Sequence, residues 1–116
     1  MRTRPLQELM ERTIGALQDR APERLDDVFA ENALVRVVTS GGDEQARGDR
    51  GRELLRRLAR EPSPFAGEQA RGDVYLALPY AGAVLTYRSE AGAPAERTVF
   101  VRFQGELIGE LIVYVR

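Results

Sequence analysis

The order of two hydrophobic periodicities along the chain constrains its fold more than any other feature. Apolar residues recur every three or four positions in much of the first half, which predicts amphipathic helices. From about residue 67 onward, apolar and β-branched segments separated by the turn stretches "PYAG", "AGAPA" and "QGE" predict β-strands. Helices followed by a run of antiparallel strands indicate an α+β fold, with the helices packed on one side of a curved sheet. The 116 residues suffice for a single domain, 1–116, with a sizeable core.

Three helices and six strands are predicted from these patterns. The helices are residues 3–20, a short second one at 21–32, and a third at 48–64 that begins at Gly48 or Gly51. The strands are residues 33–40, 44–47, 67–78, 82–90, 95–104 and 106–115. The buried residues of the second and third helices are predicted to be Leu25, Val28, Phe29, Leu54, Leu55 and Leu58.

The residue types that the chain lacks exclude several kinds of chemistry. It contains no Cys, no His and no Trp, and all 17 of its basic residues are Arg. Disulfides, thiolate nucleophiles and Schiff-base lysines are therefore excluded, and the commonest general base and metal ligand is missing. Any acid–base chemistry must use carboxylates, Tyr or water held by Arg. We expect no metal and no cofactor.

The charge distribution predicts neither a nucleic-acid partner nor a membrane partner. The net charge is −1, and the basic residues are spread along the chain. No apolar run approaches the length needed to span a membrane, and the stretch "MRTRPLQELMERT" has no signal-peptide core. We therefore expect a soluble cytoplasmic protein.

Three phrases of the sequence resemble the nuclear transport factor 2-like superfamily, in its small SnoaL-like (polyketide-cyclase-like) branch. They are "ALQDRAPERLDDVFAENALVRV" at 16–37, "GRELLRRL" at 51–58 and "VFVRFQGELIGELIVYV" at 99–115. The resemblance implies a cystatin-like α+β barrel, a cone in which a bent sheet wraps a long helix and leaves an apolar pocket for a small lipophilic ligand. It also implies a homodimer that forms through the outer face of the sheet.

Two of the family's known chemistries do not match the residues of this chain. Where the steroid-isomerase members carry a Tyr, a base and a protonated Asp, this sequence has Thr13, Val37 and Val99. Those side chains cannot abstract and return a proton at carbon. The SnoaL-type aldol cyclases use a His–Asp arrangement, which a chain without His cannot form.

The stretch "VLTYRSE" at 84–90 is similar to a strand of the limonene-epoxide-hydrolase-like members, which use an Asp–Arg–Asp triad. By this resemblance Arg88 is the orienting Arg and Glu90 the first carboxylate. The position of the second carboxylate falls on Ile112, so Glu110, two residues earlier on the same strand face, is the candidate to replace it. An Arg that holds two carboxylates can make one a base and the other an acid.

The resemblance also implies which side chains line the pocket. They are Thr13, Leu17, Val37, Arg97, Val99, Val101, Ile112 and Tyr114. In this interpretation Val84, Thr86 and Arg88 face the pocket, whereas Leu85 and Tyr87 lie on the outer face.

Simpler interpretations exist for each charged candidate. Arg88 and Glu90 can form an exposed cross-strand salt bridge, and Arg97 can lie at the protein surface. Glu110 can lie in a gap of the outer sheet face, pair with an Arg at a dimer interface, or serve as a pocket acid with a raised pKa.

Two functional hypotheses follow. The first is a cofactor-independent enzyme that acts on a small polyketide- or terpenoid-like metabolite of secondary metabolism, by epoxide hydrolysis or epoxide-opening cyclisation or isomerisation. The second is a non-catalytic small-molecule-binding or dimeric assembly module of the same fold.

Overall fold

The computed structural model describes residues 4–60, 68–88 and 94–115, which form an α+β fold. The helices are α1 (Arg4–Gln18), a one-turn 3₁₀ helix (Pro22–Leu25) and α2 (Asp49–Ala59). The strands are β1 (Phe29–Thr39), β2 (Gly42–Arg47), β3 (Glu68–Ala77), β4 (Tyr80–Arg88), β5 (Pro94–Gln104) and β6 (Leu107–Val115). The predicted fold class and the predicted order of strands are thus confirmed.

All six strands belong to one curved sheet with the strand order β2-β1-β6-β5-β4-β3. Neighbouring strands are antiparallel, except that β1 and β6 are parallel. Strands that follow one another closely in sequence pair as neighbours, as antiparallel hairpins require. The centre of the sheet therefore lies between β6 and β5.

Helix α1 follows the predicted amphipathic pattern. Leu6, Met10, Ile14 and Leu17 form its buried stripe, at the spacing of three and four residues that places side chains on one helix face. The helix contacts β3 and β5, so this stripe packs against the concave side of the sheet. Burial of this stripe, more than helix propensity, stabilises the helix.

The predicted second helix is wrong beyond its first turn. Only Pro22–Leu25 is helical, and β1 already begins at Phe29. Phe29 pairs with Ile108 of β6, and the Arg52 guanidinium lies 5.7 Å from the centre of its ring. Buried Leu25 and Phe29 were predicted correctly; the error lies in their spacing, which suits a helix as well as a turn followed by a strand.

Helix α2 begins at Asp49, with Gly48 as its N-cap residue. Gly48 has φ +61°, a left-handed conformation that glycine adopts without strain. Gly51, the other predicted starting point, lies in the first turn, where an added Cβ would come within 2.9 Å of the Ala46 carbonyl oxygen. The helix therefore lies very close to β2, and it buries Leu54 and Leu55 as predicted.

The two faces of the sheet have different surroundings. The inner face packs on the helices and carries buried side chains: Val35, Val37, Ala81, Ala83, Leu85, Val99, Val101, Phe103, Ile108, Leu111 and Val113. The outer face carries the side chains that alternate with these, and nothing within the described ranges covers it. No helix among those ranges is long and apolar enough to cross a membrane.

Candidate functional site

Five of the predicted pocket residues lie together in the core. Thr13 and Leu17 come from α1, Val37 from β1, and Val99 and Val101 from β5, and each is at most 7% exposed. Thr13, Val37 and Val99 occupy the positions at which the steroid-isomerase members carry an acid or a base. These three side chains are buried and have no titratable group.

Thr13 is the one polar member of this group. Its side chain is fully buried, and its Oγ1 donates a hydrogen bond to the Leu9 carbonyl oxygen at 2.8 Å. A threonine that bonds back to the preceding helical turn satisfies its own hydroxyl. This hydroxyl therefore has a structural partner within its own helix.

Arg97 lies on the inner face near the beginning of β5, as predicted. It pairs with Leu85 of β4 and Val115 of β6, its side chain is half-buried, and its Nη1 donates to the Glu96 carbonyl oxygen at 2.8 Å. Arg97 thus brings positive charge to the end of the cone at which β4 also ends.

The stretch that suggested an Arg–carboxylate pair is only partly described. The backbone of Arg88 ends β4, in register with Pro94 and Glu68. The Arg88 side chain and the whole of Glu90 lie outside the described residues, so their roles stay predictions.

The faces of β4 were predicted the wrong way round. Leu85 is fully buried on the inner face, whereas Val84 is 40% exposed and Thr86 is also exposed on the outer face. Alternation defines two faces but does not say which one meets the helices. Apolar residues occur on both faces of β4, so hydrophobicity did not distinguish them.

Three further candidates lie on the outer face, so their predicted grouping with the core residues is wrong. Glu110, Ile112 and Tyr114 alternate with Leu111 and Val113, which are fully buried. A one-residue choice of register decides the face of a whole strand, and burial of Leu111 and Val113 in the core decides it here. Glu110 therefore does not share a pocket with Thr13 or Val99.

Glu110 instead pairs with an arginine on the neighbouring strand. Arg102 of β5 is directly opposite Glu110, and its Nε donates to Glu110 Oε2 at 3.3 Å. The two side chains are 36% and 26% exposed. Of the three possibilities for Glu110, this placement excludes the pocket acid and agrees with the other two.

A second ion pair on the outer face joins β1 to β2. The Arg36 Nε donates to Asp43 Oδ1 at 3.0 Å, and Nη2 reaches Oδ2. These hydrogen bonds and the charge of the carboxylate raise the pKa of Arg36, and the hydrogen bonds from Arg36 lower the pKa of Asp43. A guanidinium that spans both carboxylate oxygens fixes the geometry of this strand pair.

Between these ion pairs the outer face carries a group of large apolar side chains, which the sequence interpretation did not anticipate. Tyr75, Tyr80, Val84 and Phe100 are between 40% and 67% exposed. The Phe100 ring packs edge-to-face on Tyr114 with 5.8 Å between ring centres. We call these five residues, together with Gly82, Thr98 and Ile112, the outer patch.

Two shallow cavities open onto the outer patch. One, of about 320 Å³, lies between Tyr75, Tyr80, Val84 and Phe100. Its floor is low because Gly82 has no side chain, and an added Cβ there would come within 3.2 Å of the Phe100 ring. The other, of about 680 Å³, lies beside Phe100 and Tyr114 and extends to Val38 and Ser40.

A signal for the outer patch is present in the sequence. In β4, β5 and β6 the apolar residues occupy both sets of alternating positions, as Val84 and Leu85 or Phe100 and Val101 illustrate. Strands that are apolar on both faces are typical of sheets covered on both sides. Within the described residues, no group of three or more acidic side chains is placed to hold a metal ion.

Comparisons with known proteins bear on the fold. No protein-family model and no curated protein sequence matches this chain. Solved structures do match, among them an NTF2-like protein of unknown function from Mesorhizobium loti, with a TM-score of 0.77 and 20% identity over 100% of this chain and 94% of the other.

Two further structures carry enzyme names. The "putative ketosteroid isomerase" from Kribbella flavida has a TM-score of 0.70 and 16% identity, over 97% of this chain and 78% of that one. The "putative isomerase" from Rhodopseudomonas palustris has a TM-score of 0.65 and 18% identity, over 91% and 87%. At these identities the likeness concerns the fold: the chain has the cone-shaped α+β fold of NTF2-like proteins.

Proposed function

We propose that this protein works as a homodimeric binding module, in which the outer faces of two sheets pack together. The observation that carries the proposal is the outer patch, whose large apolar side chains are exposed in a single chain. Contiguous exposed apolar surface of this kind marks interaction sites in soluble proteins. The resemblance noted in the sequence points to the same face.

The size of the outer face suits a second copy of the chain. Six strands spaced about 4.8 Å apart and about 27 Å long present on the order of 800 Å². A standard stable interface buries about 800 Å² on each partner. The outer face also mixes aromatic residues and arginine, which are enriched at interfaces.

The site for a small lipophilic ligand, in this proposal, lies at the end of the cone near Arg97. The half-buried guanidinium there can orient a polar or anionic group while the inner face contacts the apolar remainder. The buried apolar side chains at the positions of the family's acids and bases favour binding over proton transfer.

The dimer can be tested with two matched substitutions to arginine. Val84 is 40% exposed in the outer patch, and Leu107 is 41% exposed at the β5–β6 turn. We expect Val84→Arg to give a monomer and Leu107→Arg to remain a dimer, as measured by light scattering after size-exclusion chromatography. A monomeric wild type, or equal behaviour of both variants, would refute the proposal.

A second candidate function is a cofactor-independent enzyme of the isomerase or epoxide-opening type. The isomerase names of two proteins with the same fold favour it. The "VLTYRSE" phrase also favours it, and Arg97 lies at the same end of the cone as this phrase. In such an enzyme Arg88 would orient charge and Glu90 would activate the nucleophile.

The enzymatic alternative can be tested with lipophilic epoxides in oxygen-18 water. Labelled diol, lost in Arg88→Ala and Glu90→Gln but retained in Glu110→Gln, would establish a pocket enzyme. Loss of turnover in Glu110→Gln alone would contradict the placement of that residue on the outer face.

A further inference from the structure

We infer that Glu110 and Arg102 form a four-membered charge cluster with the same two residues of a second copy, and that this cluster sets how the two sheets align. The inference rests on the proposed dimer and names the residues that determine its geometry. Its starting point is the Arg102–Glu110 ion pair, with a 3.3 Å hydrogen bond, which joins the two central strands of the sheet beside the outer patch.

The strand register arranges the outer face in rows that run across the sheet. Thr98 is opposite Val84 and Tyr114, and Phe100 is opposite Gly82 and Ile112. From β4 to β6 these two rows are mostly apolar; further out, on β1 and β2, they carry Arg36 and Asp43, which pair with each other. The next row holds Arg102 between Tyr80 and Glu110.

Full overlap of two six-stranded sheets places a two-fold axis between β6 and β5, the central strands. We place this axis parallel to the strands. It then brings β5 of one copy over β6 of the other, and each row of residues faces the same row of the second copy. Arg102 then faces the partner's Glu110, and Glu110 faces the partner's Arg102. In the apolar row Phe100 faces the partner's Ile112.

The charges of this pair favour this axis over an axis along either central strand. An axis along β6 would bring the two Glu110 carboxylates together, and an axis along β5 would bring the two Arg102 guanidiniums together. Like charges that meet within an interface cost affinity and exclude that alignment. A two-fold axis reverses the order of the two charges in the row. Each positive charge then faces a negative one, as a self-complementary two-fold interface requires.

Burial by a partner would also increase the importance of the pair. Alone, Arg102 and Glu110 retain about a third of their side-chain exposure, so solvent weakens their attraction. Once a second copy covers the pair, either charge without its opposite would cost free energy. The pair therefore determines which alignment of the two sheets forms, whereas the apolar side chains supply most of the buried area.

Charge reversal on separate chains tests this inference. Glu110→Arg and Arg102→Glu each place like charges across the interface, so each variant alone is expected to be monomeric. Mixed together, they are expected to form a heterodimer, because each 110–102 contact between chains is again between opposite charges. Native mass spectrometry of isotope-labelled and unlabelled chains distinguishes heterodimer from homodimer, and circular dichroism verifies that each variant is folded.

Each outcome has a distinct meaning. A monomeric wild type would refute the proposed dimer itself. A dimeric wild type with two single variants that also remain dimers, or with a mixture that stays monomeric, would refute the charge cluster and leave the dimer intact. Should a reversal prevent folding, Glu110→Gln replaces it. Its dimer dissociation constant must rise at least about tenfold, and an unchanged constant would overturn the inference.

Discussion

Position 13 shows how a predicted pocket-lining residue can be a packing residue. The Thr13 side chain is fully buried, and its hydroxyl bonds to the Leu9 carbonyl of its own helix. Its neighbours on the helix face, Met10, Ile14 and Leu17, are apolar and equally buried. The methyl group of Thr13 therefore contributes to the core, and the hydroxyl is accommodated there.

We expect stability to depend more on the methyl group of Thr13 than on its hydroxyl group. Thr13→Val keeps the shape and loses one hydrogen bond, so its free energy of unfolding should stay within about 1 kcal/mol of wild type. Thr13→Ser keeps the hydroxyl but leaves a methyl-sized cavity, and should lose about 1 kcal/mol or more. Urea unfolding measures both. Greater damage from Val than from Ser would indicate that the hydroxyl has a role beyond packing.

Other residues were harder to place from sequence because alternation leaves the absolute face undefined. The separation of Val99 and Val101 from Thr98 and Phe100 was predicted correctly. Leu85 and Glu110 were assigned to the wrong faces. Only packing on the helices, which links residues far apart in sequence, decides which face is inner.

The contact between α2 and β2 depends on a glycine within the helix. An added Cβ at Gly51 would lie 2.9 Å from the Ala46 carbonyl oxygen and 3.3 Å from Val35 Cγ2. At Gly15 in α1, by contrast, no atom lies within 4 Å of such a Cβ. The same substitution should therefore have opposite effects in the two helices.

We expect Gly51→Ala to destabilise the fold by roughly 1–3 kcal/mol, because helix and strand must separate. Gly15→Ala should stabilise it by roughly 0.5–1 kcal/mol through helix propensity. Thermal unfolding of the two variants beside wild type provides the comparison. Equal shifts of the same sign would contradict the close approach of α2 to β2.

The β1–β2 hairpin should make a small contribution to the pH dependence of stability. The folded pKa of Asp43 is lowered by its hydrogen bonds from Arg36. A lowered pKa stabilises the folded state above the unfolded value of about 4, and this stabilisation is lost as pH falls through the lower folded value. Arg36→Gln should therefore be less stable than wild type above about pH 4, and this difference should shrink as the pH falls below about 4.

Acid titration of urea midpoints for wild type and Arg36→Gln measures this difference. Arg57→Gln, which removes an exposed pair with Glu44 at 2.9 Å, serves as the matched control. A steeper acid slope in Arg36→Gln than in wild type would show that the Arg36–Asp43 pair does not stabilise the hairpin.

At the scale of the elements, local signals sufficed for α1, α2 and the last four strands. The stretch that follows α1 misled the prediction because Leu25, Val28 and Phe29 also fit a helical face. The pairing of Phe29 with Ile108, nearly 80 residues away, makes it a strand. Tertiary pairing of this kind overrides local periodicity.

At the scale of the whole molecule, the order of periodicities was enough to predict helices packed on one side of a curved sheet, and the family resemblance implied the cone. The candidate site was not predictable to the same degree. It depends on which side of each strand meets the helices, and the apolar outer patch makes both sides of β4, β5 and β6 similar in sequence. The same ambiguity supports the proposal that a second copy covers the outer face.

The central claim, that two sheets pack through their outer faces, can be tested most directly by distance measurement between copies. The chain has no cysteine, so Thr98→Cys provides a single spin-label site in the outer patch, and Arg50→Cys one on exposed α2. Dipolar electron paramagnetic resonance should find the two labels at position 98 about 10–20 Å apart, since packed sheets lie about 10 Å from each other. Labels at position 50 should be about 30 Å apart or more, because a helix layer about 10 Å thick lies on each side. No dipolar coupling at position 98, or a shorter distance at position 50, would contradict the account.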